Sequence, residues 1–197
     1  MGVGLRSWSL AAGQVSCYIA RRGNPVIRIR RISTQDPLYP QAVDLRTRVL
    51  LTPIGLTFDD YLAMAPGREG RYEHFVAVFD HPTGDRVLGT AALLPADGTT
   101  EEAFGKVAQV CVDPQRQNEG IGQRLMIAIE ARAFGELDIP GLYCHAQLIA
   151  IPFYEKIGWR VSSDVFVEAG IKHKRMQIQA PDPSEGVADP ELEFELD

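Results

Sequence analysis

The sequence lacks the features that mark membrane-spanning, disulfide-stabilised and repeat proteins. No run of 18 apolar residues occurs among its 197 residues, so a transmembrane helix is not predicted. The three cysteines, Cys17, Cys111 and Cys144, have no C-x-x-C spacing, and we therefore expect neither disulfide bonds nor a zinc site. No internal repeat and no uninterrupted signal-peptide core is present, which predicts one cytoplasmic domain without a membrane partner.

The net charge is −6, but positive and negative residues are distributed unevenly along the chain. Residues 1–35 contain six arginines and no acid, whereas residues 180–197 contain seven acids and neither lysine nor arginine. We expect an extension at 1–24, a folded domain at 25–180 and a solvated acidic tail at 181–197, because such a tail has too little apolar surface to fold. The arginines lack interleaved aromatics, so a nucleic-acid partner is not expected. The oppositely charged ends leave assembly, including a homodimer, open.

Hydrophobic periodicity predicts seven strands and four helices in the order β-α-α-β-β-β-α-β-α-β-β. Such an order is typical of the α/β to α+β range, with a mixed sheet of six to seven strands flanked by about four helices. The predicted strands are 25–32, 74–79, 86–94, 106–112, 141–147, 159–168 and 171–179, and the predicted helices are 38–51, 58–64, 121–135 and 151–157.

The segment from Val110 to Gly122 is a strand followed by a glycine-containing turn and a helix start. A helix N-terminus offers unpaired N–H groups to phosphate oxygens, and glycine permits close approach. The segment is not a P-loop, because no Gly-Lys-Ser/Thr follows, and Leu125 replaces the third glycine of a dinucleotide fingerprint. The pattern alone fits either a pyrophosphate loop or an ordinary helix start with two permissive glycines.

Two motifs resemble the GCN5-related N-acetyltransferases, the GNAT superfamily. Gln117-x-x-Gly120-x-Gly122 resembles the superfamily's Q/R-x-x-G-x-G/A loop, which binds the pyrophosphate of acetyl-CoA. The segment from Gln147 to Trp159 is similar to the superfamily's N-x-x-A-x-x-FYEKxGF segment, with glutamine in place of asparagine. Residues 145–147 and 166–173 resemble the ElaA-like branch. The resemblance implies the GNAT fold, with a mostly antiparallel mixed sheet, and acetyl-CoA as co-substrate.

The resemblance also implies roles for individual residues. The backbone of Val110 and Val112 would pair with the pantetheine arm, and the Val110 N–H would polarise the thioester carbonyl. Tyr154 would protonate the coenzyme A thiolate, or else is a packing tyrosine. Arg116 and Arg124 either add charge toward the phosphates or are solvated. The residues expected to bind the cofactor are Val110, Cys111, Val112, Gln117, Asn118, Glu119, Gly120, Ile121, Gly122, Gln123, Gln147 and Tyr154.

The general base is not given by the resemblance, because Leu142 stands where the ribosomal-protein acetyltransferases have a glutamate. On a strand, His145 shares a face with Gln147, so it would point into the cleft if Gln147 faces the cofactor. An imidazole suits proton abstraction near neutral pH, and we predict His145 as the base, with a packing histidine as the alternative. The acceptor-site candidates are His173, Glu168 and Glu73.

Together these features predict an acyltransferase that moves an acetyl group from acetyl-CoA to a primary amine of a small molecule or peptide. Transfer would proceed by direct attack in a ternary complex, since no thiol has an activating partner in the sequence. No metal is expected, because His74 and His81 have no ligand-spaced companions. The alternative is a non-catalytic acyl-CoA-binding or sensing domain.

Overall fold

The computed structural model of the protein describes residues 27–96 and 103–182. Its strands form one sheet in the order β1-β2-β3-β4-β5-β8-β6, and β7 pairs with β8. All pairs are antiparallel except β4 with β5. The strands are β1 Ile27–Ile32, β2 Glu73–Phe79, β3 Arg86–Leu94, β4 Gly105–Val112, β5 Gly141–Gln147, β6 Arg160–Val161, β7 Phe166–Glu168 and β8 Ile171–Gln179.

Helices cover both faces of this sheet. The helices are α1 Tyr39–Arg46, α2 Phe58–Met64, α3 Ile121–Gly135 and α4 Ile151–Lys156. The buried side of α3, which includes Leu125 and Ile129, packs on one face together with Tyr154 of α4 and Trp159. Residues of α1, including Leu45, form a second cluster on the other face with Cys111 of β4. In the described part of the chain no helix is long and apolar enough to cross a membrane.

The predicted fold class is confirmed, but the described residues form a sheet of eight strands, more than expected. The stretch 159–168, expected as one strand, forms the two short strands β6 and β7. Between them the chain is held by individual bonds in place of a ladder: the Ser162 N–H donates to the Arg175 carbonyl, and the Arg175 N–H donates to the Ser163 hydroxyl. The predicted helix 38–51 changes at Thr47 from α-helix to a π-helical turn.

The feature that shapes the site is the short pairing of β4 with β5. Only Gly105–Val107 pair with Leu142–Cys144, although β4 has eight residues and β5 has seven. Beyond this point β4 contains a bulge at Gln109, whose φ is +55°, and the register with β3 shifts. The bulge places Val110 and Val112 against the α3 side and Cys111 against the α1 side. The two strands therefore part after Val107 and Cys144 and leave an opening in the sheet.

The predicted extension at 1–24, Cys17 and residues 183–197 of the predicted tail lie outside the described residues.

Candidate active site

The loop after β4 leads directly into the N-terminus of α3. It contains a 3-10 turn at Pro114–Arg116 and two residues with positive φ, Asn118 at +66° and Gly120 at +78°. No side chain caps α3. The loop from Gln117 to Gly120 is exposed, and the Gln117 amide donates to the Val112 carbonyl across 3.4 Å. An exposed, uncapped helix start of this kind favours binding of an anion.

The two glycines of the loop serve different purposes. A Cβ on Gly120 would meet nothing within 4 Å, so the space beside it is open. A Cβ on Gly122 would lie 3.2 Å from the ring of Phe153, so this glycine allows α3 to approach α4. Gly120 thus faces the space that a ligand could take, while Gly122 has a packing role that the motif did not indicate.

The other residues of the loop and of the first turn of α3 differ in how accessible they are to a ligand. Arg116 holds Glu119 through two bonds of 2.7 and 2.8 Å, so the arginine already neutralises the acid of the loop. Arg124 is half-buried in the first turn of α3, and Gln123 is exposed. The Ile121 side chain is 1% exposed and belongs to the core, which leaves only its backbone for a ligand.

Tyr154 is buried at the point where β4 and β5 part. Its hydroxyl interacts with the thiol of Cys144, the last β5 residue that pairs with β4. Burial, followed by the neighbouring Cys144, raises the pKa of Tyr154 well above its usual value, so the phenol stays protonated. Burial also raises the pKa of Cys144 and of Cys111 to about 12 each, which makes both thiols poor nucleophiles at neutral pH.

His145 forms a dyad with Glu168 on the opposite face of the sheet from α3. Nδ1 of His145 lies 2.8 Å from the Glu168 carboxylate, and its ring centroid is 4.9 Å from that of Phe166. Burial, then the charge of Lys106, lowers the pKa of His145 below 6.5, and Glu168 only partly opposes this.

The ionisation of Glu168 determines which ring nitrogen of His145 carries the proton. Burial would raise the pKa of Glu168, but the hydrogen bond from His145 and nearby positive charges outweigh it and the pKa is lowered. An ionised carboxylate only accepts hydrogen bonds, so Nδ1–H of His145 is the donor. The other ring nitrogen, Nε2, is therefore the basic one, and at pH 7 it can accept a proton.

Other predicted residues gather beside this dyad, with one exception. Gln147 pairs with His173 across β5 and β8, and the His173 ring stacks 6.0 Å from Phe166. The Nδ1–H of His173 donates to the Ile171 carbonyl across 2.9 Å. The structure thus brings together four candidates: His145, Glu168, His173 and Gln147.

Glu73 lies apart from this group, and its acceptor-site role stays a prediction. Its carboxylate accepts bonds of 2.8 and 2.9 Å from Arg132 and one of 3.1 Å from Arg31. Arg132 is in the last turn of α3, whereas the candidate loop precedes the first turn. Glu73 therefore anchors the far end of α3 to the sheet.

Sequence reasoning missed two cations beside the dyad. Nζ of Lys106 lies 5.9 Å from the centre of the Tyr143 ring, and Cζ of Arg175 lies 4.0 Å from it. The register pairs Lys106 with Tyr143 and His145 with Arg175. A lysine within the otherwise uncharged strand 105–112 was the available signal, but its neighbours come from strands that are distant in sequence.

Sequence reasoning also missed a buried ion pair beneath α1 and α2. Arg46 is 1% exposed, and its Nη2 lies 2.7 Å from the Glu69 carboxylate. The hydroxyls of Tyr39 and Tyr61 donate to the same carboxylate across 2.5 and 3.1 Å. Within the described residues, Nε and Nη1 of Arg46 are buried without a hydrogen-bond partner. The cluster fixes the helical segment on the side of the sheet that carries His145.

Comparisons with known proteins agree with this architecture. YjcF from Bacillus subtilis strain 168, an uncharacterized N-acetyltransferase, is 35% identical over 109 residues, which are 55% of this chain and 71% of that protein. The crystal structure of Escherichia coli ElaA matches with a TM-score of 0.59 and 20% identity, over 77% of this chain and 99% of that chain. An aminoglycoside 6'-N-acetyltransferase complexed with coenzyme A matches with a TM-score of 0.60 and 17% identity, over 79% of this chain and 98% of that chain. The two structural matches are likenesses of fold.

A family model described as an acetyltransferase (GNAT) domain matches residues 57–180, more than half of the chain. The matched range contains β4, β5, the loop before α3 and the dyad of His145 and Glu168. The chain belongs to the GNAT acetyltransferase family.

Proposed function

We propose that the protein is an acetyl-CoA-dependent N-acetyltransferase that acts on a primary amine by direct attack in a ternary complex. The observation that carries the proposal is the opening between β4 and β5, which has a proton acceptor on one face and a proton donor at its apex. When bound, acetyl-CoA supplies the acetyl group as an activated thioester.

The residues around the opening fit such a ligand. The uncapped start of α3 and the open space at Gly120 suit the pyrophosphate group. The edges of β4 beyond Val107 and of β5 beyond Cys144 make no pairs with each other, so an extended chain can add between them as a further strand.

His145 is the base in this proposal, and Glu168 orients it. With Nδ1–H bound to Glu168, Nε2 takes a proton from the attacking amine. The negative Glu168 also stabilises the imidazolium that forms. Glu168 therefore acts through His145 and is a positioning residue.

Tyr154 is the proton donor in this proposal. Its hydroxyl already interacts with one thiol, that of Cys144, at the apex of the opening. A thiolate leaving group at the same apex can accept a hydrogen bond from the phenol and then the proton, while the raised pKa ensures that the phenol carries its proton at the working pH.

Acetyl transfer to a panel of amines, followed as release of free coenzyme A thiol, tests this function. Tyr154→Phe should lower kcat roughly a hundredfold, the usual size of a general-acid contribution, with little change in acetyl-CoA affinity. Cys144→Ala is the matched control, because it removes the thiol that contacts the Tyr154 hydroxyl in the resting protein and leaves the phenol in place. Equal losses in both variants would make the hydroxyl structural. Binding of acetyl-CoA without transfer to any amine would indicate the sensing domain.

A further inference from the structure

The surface around His145 carries more positive than negative charge. Residues that pair across strands project from the same face, so Lys106, Tyr143, His145 and Arg175 share the face opposite α3. The two cations lie over one aromatic ring, at 5.9 and 4.0 Å from its centre. The acid of this group, Glu168, is bound to His145.

Lys106 lacks a close carboxylate partner in the described part of the chain. Its side chain is half-buried, and no carboxylate of the described residues lies within 4.0 Å of its ammonium group. Burial is the main reason why its pKa is lowered; the charge of Glu168 opposes this shift, whereas the charges of Arg68 and Arg175 act in the same direction as burial. The ammonium group is partly desolvated, and the Tyr143 ring provides a compensating contact. A carboxylate that enters from solvent would therefore bind to it favourably.

The same charges act on an amine that enters this site. A protonated amine next to Lys106 and Arg175 is disfavoured by repulsion, so the pKa of the amine falls and more of it is neutral. Only the neutral amine is a nucleophile. A negative group on the acceptor therefore improves binding, and the positive surroundings promote attack by its amine.

We propose that the acceptor is a primary amine that also carries an anionic group, and that Lys106, next to Arg175, binds that group while His145 receives the amine proton. This inference rests on the proposed N-acetyltransferase function. A polycationic amine should bind poorly, because Lys106 and Arg175 would repel each of its added charges.

Matched pairs of acceptors test the proposal. The probes are α-amino acids and ω-amino acids of two to six carbons, each compared with its carboxamide, together with aminoalkyl phosphates and spermidine. A carboxamide lowers the basicity of an α-amine and so favours the neutral nucleophile, which makes the α-series a stringent comparison. The expected result is a kcat/KM at least tenfold higher for one anionic series than for its uncharged partners, the size of one charge-assisted hydrogen bond.

Variants then assign the preference to this lysine. Lys106→Gln should raise KM for the anionic acceptors about tenfold more than KM for the uncharged partners, and Lys106→Arg should retain the preference. Lys156→Gln is the control, since Lys156 is exposed at the end of α4 on the other face of the sheet.

The possible failures are distinguishable. Acetyl transfer that prefers carboxamides or spermidine, or a preference for anions that survives Lys106→Gln, would overturn the anionic acceptor and leave the acetyltransferase intact. Absence of transfer to every amine, with acetyl-CoA bound, would overturn the proposed function and this inference with it.

Discussion

The acidic limb of the pH profile should move in opposite directions when either charged neighbour of His145 is neutralised. Because His145 acts as a base only when neutral, kcat/KM rises with pH through its pKa, which burial and Lys106 lower below 6.5. Glu168 raises this pKa and Lys106 lowers it. Glu168→Gln should therefore shift the limb to lower pH, and Lys106→Gln should shift it to higher pH.

The expected size of each shift follows from the exposure of the pair. Side chains of His145 and Glu168 are 27% and 48% exposed, so solvent screens their attraction. Ion pairs of this kind contribute about 0.2–1 kcal/mol, and one pKa unit corresponds to about 1.4 kcal/mol. Each substitution should thus move the midpoint by roughly half a pH unit. His173 on β8 also lowers this pKa and is present in all variants.

The assay is kcat/KM for one amine between pH 5 and pH 8 at fixed acetyl-CoA, for the wild type and both variants. Ionisation of the amine itself adds the same slope to every profile, so the midpoints can be compared directly. His145→Gln should abolish the limb. Midpoints that coincide, or that move in one direction in both variants, would refute His145 as the base.

Two further predictions concern stability and reactivity. Glu69→Gln leaves the Arg46 charge buried without its partner and should lower the free energy of unfolding by about 3 kcal/mol at neutral pH, measured by urea denaturation. Burial raises the pKa of Glu69, but the bonds and charge of Arg46 and the bond from Tyr39 lower it overall. The stabilisation by Glu69 is therefore lost as pH falls through that pKa, and the difference in unfolding free energy between variant and wild type should close. A difference that persists at low pH would contradict the stabilising role of the ion pair. Cys144, with a pKa raised to about 12, should resist alkylation in the folded protein at pH 7.5 and react after unfolding. Mass spectrometry would map the labelled cysteine, and rapid labelling of Cys144 in the native protein would contradict its burial.

The sequence predicted the fold well, because the periodicity of its long elements is strong. The helix 121–135 and the strand pairs around the loop at 80–85 appear where apolar spacing placed them. The stretch 159–168 was predicted wrongly, since its residues leave the ladder to bond individually with Arg175. Bonds of this kind depend on the neighbouring strand, which apolar spacing does not describe.

The candidate site was predictable only where it is local. The loop from Gln117 to Gly122 and the shared face of His145 and Gln147 follow from spacing along one segment. The partner of His145 comes from another strand. The bulge at Gln109 changes which face of the sheet the following residues occupy, and the apolar pattern does not show it. Such pairings depend on sheet order and register, which a single sequence does not specify.

Calorimetric titration of acetyl-CoA measures whether the loop before α3 and the neighbouring opening bind this co-substrate. Gly120→Ala and Gly67→Ala are matched variants: their φ values are +78° and +72°, neither Cβ would meet an atom within 4 Å, and each should cost about 1 kcal/mol of stability through backbone strain. We expect the wild type and Gly67→Ala to bind with equal affinity and Gly120→Ala to bind at least tenfold more weakly. Equal affinity in the two variants, or no binding by the folded wild type, would contradict binding of acetyl-CoA at this loop.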